Sequence, residues 1–116
     1  DVRSLYPQLD ILCFPSHLNA AGRPVFEAAF HGIPSVVAVR DPMPDAVLHE
    51  TTGLAIPEPA PALIADALQR LAEDPELRQR LGAQARNWAE QTFAVENNAA
   101  RMLELYQSIV SSRERP

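Results

Sequence analysis

The segment Asp10–His31, DILCFPSHLNAAGRPVFEAAFH, decides the fold of this chain. Its first residues, Asp10–Phe14, are mostly apolar and predict a short strand, and the polar run Pro15–Arg23 predicts a turn. Pro24 predicts the start of a helix, because a proline at the first helical position lacks only an N–H that would have no partner there. The helix that follows is apolar on nearly every side, which is typical of a buried helix.

Glu27 interrupts this apolar helix and is expected in its first turn. A carboxylate in apolar surroundings needs a partner or a ligand, because burying it alone is costly. Helical side chains lean toward the N-terminus, so Glu27 is predicted to point at the free N–H groups of Gly22–Phe26, a place that favours anions. The alternative is a plain i, i+4 ion pair of Glu27 with Arg23 or His31.

The rest of the chain predicts an α/β fold. A β-branched run and a very short apolar run predict two more strands, and the second half of the chain reads as three helices with apolar stripes. The N-terminal residues look like the tail of a helix, and Gly32 is a helix-stop residue. The predicted elements are strands Ser35–Val39 and Leu54–Ile56, helices Pro61–Asp74, Pro75–Gln91 and Val95–Ser112, and the helix tail Asp1–Gln8.

Alternation of strands and helices indicates a partial Rossmann-like domain: a short parallel sheet with flanking helices and a helical C-terminal region. Ligands of such sheets bind outside the carboxyl ends of the strands. The loops expected at those ends are Pro15–Arg23 and Arg40–Pro44.

Composition excludes several classes of protein. The 116 residues suit one domain, and a net charge of −5 argues against a nucleic-acid binder. All ten cations are Arg, so a Walker lysine or a Schiff-base lysine is excluded. No run of 18 apolar residues predicts a transmembrane segment, and no signal peptide is recognisable. The single cysteine, Cys13, is expected to be a small buried residue. With one cysteine no internal disulfide is possible, which suits a reducing compartment and predicts a cytoplasmic protein. His31 and His49 lack metal-ligand spacing, so no metal site is predicted.

Ordered motifs then point to one family. The family motif reads roughly P-S-x-x-E-G-F-G-x-x-x-x-E-A, and here Pro15-Ser16, Gly22 and Glu27-Ala28 match it. Three later motifs, G-x-P-V-V-A, T-G-L and D-P-E-L, are matched by Gly32–Ala38, Thr52–Leu54 and Asp74–Leu77. The chain thereby resembles the C-terminal, nucleotide-binding half of a family-four retaining glycosyltransferase of the two-Rossmann-domain (GT-B) fold.

The chain departs from the family motif at three positions. Asn19 stands where the family has its first Glu, and Ala20 and Ala21 replace Gly and Phe. The resemblance also implies that residues 1–116 are an incomplete nucleotide-sugar-binding domain. The family's Arg and Lys for the donor diphosphate, and its acceptor-binding domain, would lie upstream.

The resemblance implies a site for a nucleoside-diphosphate sugar, linked to UDP or GDP. Glu27 would accept hydrogen bonds from the ribose hydroxyls, Gly22 and Arg23 would lie against the distal phosphate, and Asn19 would face the sugar. Ser16 would cap the turn or touch a phosphate. The predicted donor-binding residues are Ser16, Asn19, Ala21, Gly22, Arg23 and Glu27, with no catalytic residue in this chain.

The implied reaction is retaining sugar transfer to an unknown acceptor, without a cofactor or metal, by a hexosyltransferase whose isolated segment is inactive. The alternative is a non-catalytic nucleotide-binding or protein-interaction module that has lost transferase activity. A further hypothesis is that the truncated sheet exposes an edge and that the segment forms a homo-oligomer.

Overall fold

The computed structural model describes residues 2–16, 22–39, 47–92 and 95–113. Three parallel strands, β1 (Leu12–Phe14), β2 (Ser35–Ala38) and β3 (Gly53–Ile56), form a sheet in the order β1-β2-β3. Leu12 pairs with Ser35, and Ser35 in turn pairs with Gly53. The predicted α/β fold with a short parallel sheet is confirmed, and the strand boundaries differ from the prediction by one or two residues.

Four helices surround or follow the sheet. Helix α1 (Arg23–Phe30) lies between β1 and β2 along the chain, as a parallel pair requires a crossover. Three helices follow β3: α2 (Pro61–Glu73), α3 (Pro75–Thr92) and α4 (Val95–Arg113). Asp74 separates α2 from α3, and its carboxylate accepts a hydrogen bond of 3.0 Å from the Leu77 N–H, as its predicted N-cap role requires.

The core lies on both faces of β2, which is buried along its whole length. Alternate residues of a strand point to opposite faces. Val36 and Ala38 pack with Leu71 of α2 and Leu81 of α3, whereas Val37 packs with Val25 of α1 in a second cluster. A near-continuous apolar strand is expected where a parallel sheet is covered on both sides.

Two expectations for the N-terminal part are wrong. Residues Val2–Ser4 and Tyr6–Gln8 form two 3₁₀ turns and not the tail of an α-helix, because Pro7 has no N–H to donate within a helix. Tyr6 is buried, but Leu5 is exposed. Cys13 is also exposed, because β1 is an edge strand and the Cys13 side chain points away from the face that Leu12 and Phe14 pack against.

The prediction that α1 is buried on nearly every side is also wrong. Val25, Ala28 and Ala29 are buried, but Phe30 is exposed, and Arg23 and Glu27 lie on the same open side. The helix begins at Arg23, so Glu27 is its fifth residue and lies in the second turn, not the first. This open side of α1 forms the candidate site.

Helix α4 carries an exposed apolar stripe. The large apolar side chains of α4 whose exposure is described are all at least 44% exposed: Met102, Leu103, Leu105, Tyr106, Ile109 and Val110. No helix among the described residues is long and apolar enough to cross a membrane.

Candidate functional site

The start of α1 lies against the end of β1. Gly22 is the N-cap residue and has extended backbone angles, with φ −78° and ψ 165°. A Cβ at Gly22 would overlap the ring of Phe14, the last residue of β1. Glycine at this position therefore lets the helix start directly over the strand end. Pro24 is the second helical residue and removes one N–H from the first turn, where it has no helical partner.

Glu27 binds the side chains of two described residues, one on its own helix and one far away in sequence. Its Oε1 lies 2.9 Å from Nε of Arg23, one turn earlier on α1. Its Oε2 accepts a hydrogen bond of 2.6 Å from the hydroxyl of Tyr6, which is 21 residues away in sequence. The ion pair with Arg23 is the one that the alternative reading of the sequence proposed, and the bond from Tyr6 was not anticipated. The Glu27 side chain remains 33% exposed.

These contacts shift the pKa values of both groups. The Tyr6 hydrogen bond, followed by the positive charge of Arg23 and its hydrogen bond, lowers the pKa of the Glu27 carboxyl below its usual value. Burial, reinforced by the hydrogen bond to the Glu27 carboxylate, raises the pKa of the Tyr6 phenol to about 12. At neutral pH the pair is therefore a neutral donor and an ionised acceptor.

An open pocket of about 390 Å³ lies beside this pair. That volume is in the range of small-molecule sites. Its lining combines two cations, one carboxylate and three aromatic rings: Arg3, Arg23, Glu27, Tyr6, Phe30 and His31. An anionic ligand with an aromatic ring and hydroxyl groups has partners of each kind there.

His31 lines the pocket and contacts both members of the Tyr6–Glu27 pair. Its ring stacks on Tyr6 with a centroid separation of 5.0 Å and an interplanar angle of 19°. Its Nδ1–H donates to the Glu27 backbone carbonyl over 2.8 Å. The imidazole therefore contacts the backbone of Glu27 and does not bind its carboxylate, so this part of the ion-pair alternative is not observed.

The predicted donor-binding residues are only partly described. Arg23 and Glu27 are in contact, Gly22 lies at the helix start, and Ser16 donates its backbone N–H to the Phe14 carbonyl over 3.2 Å. Asn19 and Ala21 lie outside the described residues. Arg3 and Tyr6 join Glu27 at the pocket without having been predicted there, because no local spacing links a 3₁₀ turn to a helix 21 residues later. His31, which the sequence offered as an ion-pair partner of Glu27, lines the same pocket.

Trp88 packs on the buried cluster Ala29, Ala85 and Ala89, as a core residue does. Among residues 2–16, 22–39, 47–92 and 95–113, no group of three His, Cys, Asp or Glu side chains is arranged to hold a metal ion.

The family model described as "Glycosyl transferases group 1" matches residues 1–88, which include β1, α1 and the pocket. The chain belongs to the group 1 glycosyltransferases. The structural neighbours of this chain are GT-B glycosyltransferases, so the fold predicted from the motifs is confirmed.

Curated relatives and solved structures agree with the family. A D-inositol 3-phosphate glycosyltransferase from Saccharomonospora viridis is 33% identical over 112 residues, which are 97% of this chain and 26% of that protein. Sucrose-phosphate synthase from Thermosynechococcus elongatus matches 92% of this chain and 27% of its own, with 27% identity and a TM-score of 0.82. Anabaena Alr3699/HepE in complex with UDP-glucose matches 90% of this chain and 29% of its own, with 23% identity and a TM-score of 0.81. The chain thus spans about a quarter of the length of each of these three proteins.

Proposed function

We propose that this chain is the donor-binding segment of a retaining glycosyltransferase that uses a nucleoside-diphosphate sugar. The observation that carries the proposal is the ionised Glu27 carboxylate at the rim of an open, cation-lined pocket, in a chain of the group 1 family. The complex of Anabaena Alr3699/HepE with UDP-glucose supports a donor linked to UDP. A donor linked to GDP is the alternative to test.

The chemistry of Glu27 suits a ribose. An ionised carboxylate has about four lone-pair sites and no donor. Tyr6 binds one of its oxygens and Arg23 binds the other, which leaves further lone pairs for two neighbouring hydroxyl groups. A vicinal diol can therefore bind in bidentate fashion, as the family resemblance implies for this position.

The start of α1 suits a phosphate. The N–H groups of the first turn carry the positive end of the helix dipole, and Gly22 brings no side chain of its own to block approach. The Arg23 side chain is 89% exposed and can reach an anion in front of the helix. We assign to Gly22 and Arg23 the distal phosphate, to Asn19 the sugar, and to Ser16 and Ala21 the rest of the donor loop.

In the proposed reaction the bond from the sugar C1 to the phosphate oxygen breaks, and the nucleoside diphosphate leaves with that electron pair. A hydroxyl oxygen of the acceptor forms the new bond to C1, on the same face, and its proton passes to the departing phosphate oxygen. Preorganised N–H groups and cations stabilise the charge that develops on the phosphate, so the segment contributes leaving-group binding. The acceptor, the hexosyl type of the reaction and its independence of metals stay predictions, as does the cytoplasmic location.

Titration calorimetry with UDP and GDP, on the full-length polypeptide that carries this chain, tests the proposal. Glu27→Gln removes the negative charge with little change in shape, and we expect the affinity for one of the two nucleotides to fall at least tenfold. Glu90→Gln is a matched control, because Arg86 and Glu90 form the same i, i+4 pair at 3.0 Å on α3, away from the pocket. Absence of binding to either nucleotide would instead support the non-catalytic module.

We also propose that the isolated 116-residue chain is inactive and self-associates. Edge strand β1 exposes backbone groups that another strand can pair with, and α4 exposes an apolar stripe. An assay of donor hydrolysis and transfer with the isolated chain tests the first part, and clear turnover would refute it.

A further inference from the structure

Tyr6 occupies an unusual place for a core residue. Its side chain is only 4% exposed, and its ring packs with Ala28, Ile33 and Leu12. The hydroxyl nevertheless donates to a carboxylate that lines an open pocket, over 2.6 Å. A short O–H···O⁻ hydrogen bond of this kind is among the stronger hydrogen bonds in proteins.

The ring of Tyr6 has little freedom to turn. His31 stacks on it at 5.0 Å, and the Nδ1–H of His31 is itself bound to the Glu27 carbonyl. Tyr6 and His31 therefore hold the side chain and the backbone of the same residue. The position of the phenol oxygen is consequently determined by packing, and the carboxylate that it binds has one favoured orientation.

Arg23, which also binds Glu27, cannot fix the orientation of the carboxylate in this way. Arg23 is 89% exposed, and exposed i, i+4 ion pairs contribute little because solvent screens them and both side chains lose entropy. Removal of the Tyr6 hydroxyl would leave Glu27 with a weak partner on the solvent side and none on the core side among its described contacts.

We propose that Tyr6 is a positioning residue for donor binding, which holds one oxygen of Glu27 so that the remaining lone pairs face the ligand in the pocket. The inference rests on the proposed function, since it requires Glu27 to bind the donor. Tyr6 lies outside the sequence motif that identifies the site, and in this role it acts through Glu27.

The test compares Tyr6→Phe with Tyr106→Phe in the full-length polypeptide, with UDP and GDP as the probes. Tyr6→Phe keeps the ring and removes only the hydroxyl, and we expect about a tenfold loss of affinity for the nucleotide that binds. Tyr106 is 59% exposed on α4, so its substitution by Phe should leave the affinity unchanged.

A pH profile separates positioning from packing. The charged and titratable groups that face Glu27 are Tyr6, Arg3, Arg23 and His31, and the Tyr6 hydrogen bond is the largest cause of the lowered pKa of Glu27. Tyr6→Phe should therefore raise that pKa, so that nucleotide binding is lost at a higher pH than in the wild type. Titration of the nucleotide itself is common to all variants and cancels in the comparison.

A double-mutant cycle with Glu27→Gln distinguishes the two possible failures. If Glu27→Gln and Tyr6→Phe each weaken binding alone, and Tyr6→Phe adds nothing in the Glu27→Gln background, the positioning role is supported. If Glu27→Gln weakens binding but Tyr6→Phe behaves as Tyr106→Phe does, the positioning role is overturned and the proposed function stands. If Glu27→Gln has no effect, the proposed function fails and the role of Tyr6 fails with it.

A second variant tests the same proposal if the Tyr6→Phe protein does not fold. Substitution of 3-fluorotyrosine at position 6 keeps the hydroxyl and makes it a stronger donor. The acid limb of the binding profile should then move to lower pH, opposite to the shift for Tyr6→Phe. An unchanged acid limb would contradict the proposal.

Discussion

Gly82 of α3 lies directly against the backbone carbonyl of Gly32, the residue that follows α1. Neither residue has a side chain, so the backbones of α1 and α3 approach each other closely there. Gly32 has a φ of +71°, and the N–H groups of Gly32 and Ile33 donate to the carbonyls of Ala29 and Ala28 over 3.0 Å each. This is the hydrogen-bond pattern of a Schellman helix end, and it turns the chain from α1 into β2.

Gly82→Ala is expected to destabilise the protein, although alanine favours helices. A Cβ at Gly82 would overlap the Gly32 carbonyl, and backbone cannot move aside as the end of a side chain can. Overpacking costs up to about 3 kcal/mol, and helix propensity returns about 1 kcal/mol, so we expect a net loss of about 2 kcal/mol in the free energy of unfolding. Urea denaturation measures it, with Gln84→Ala, at an exposed position of the same helix, as the control.

Gly32→Ala separates steric overlap from backbone strain at the same contact. A Cβ at Gly32 would meet the Gly82 oxygen at an ordinary 3.8 Å, so the cost comes from the left-handed backbone, roughly 1–2 kcal/mol. Gly32→Asn should cost less, because asparagine tolerates this conformation. A Gly82→Ala protein that is as stable as the wild type would refute the close contact.

Gly22→Ala is expected to destabilise the junction of β1 and α1 by about 1 kcal/mol, because the new methyl group must displace the Phe14 ring. The ring is the end of a flexible side chain, so Phe14→Leu, which removes the overlapping ring atoms, should reduce the cost of Gly22→Ala. Denaturation of the two single variants and the double variant gives the coupling energy. Strictly additive effects would argue against this contact.

The ion pair of Glu50 and Arg70, which lies away from the pocket, is expected to make the stability of the fold depend on pH. The hydrogen bond from Arg70, together with its charge, holds the pKa of Glu50 below its ordinary value of 4.5. A carboxyl whose folded pKa is lowered stabilises the fold above its unfolded pKa, and this contribution is lost as the pH falls through the folded pKa. Glu50→Gln should therefore lower Tm at neutral pH and match the wild type well below about pH 4.

Backbone strain at residue 50 does not affect the comparison of Glu50→Gln with the wild type. Residue 50 has a φ of +61°, and Gln and Glu carry the same penalty there. Glu58→Gln, at an exposed position just after β3, is the control in the same thermal scans. A Tm difference that persists unchanged into acid would show that the charge of Glu50 is not its source.

Self-association of the isolated chain is expected to depend on its two exposed surfaces. Leu103→Glu places a charge in the apolar stripe of α4, and Cys13→Lys blocks the edge of β1. We expect each variant to weaken association at least tenfold in a concentration series by sedimentation velocity. Ser108→Glu adds a charge elsewhere on exposed α4 and should change little; a chain that stays monomeric throughout would overturn the prediction.

Elements with strong local signals were predictable. Pro75 after Asp74 marked the start of α3, and Gly32 marked the end of α1, because capping and left-handed backbone depend on neighbouring residues alone. The β-branched run in β2 indicated a strand covered on both faces. Cys13 was wrongly expected in the core, because the burial of an edge strand depends on what lies beside it and not on its own apolar residues.

The sequence by itself determined the order of strands and helices, the family, and Glu27 as the acid to examine, because periodicity, caps and motif spacing are local properties of the chain. The tertiary structure alone decided that Tyr6 binds Glu27, that one side of α1 is open, and that Gly82 lies against Gly32. Each of these is a contact between segments far apart in sequence, and its geometry exists only after the helices have packed on the sheet.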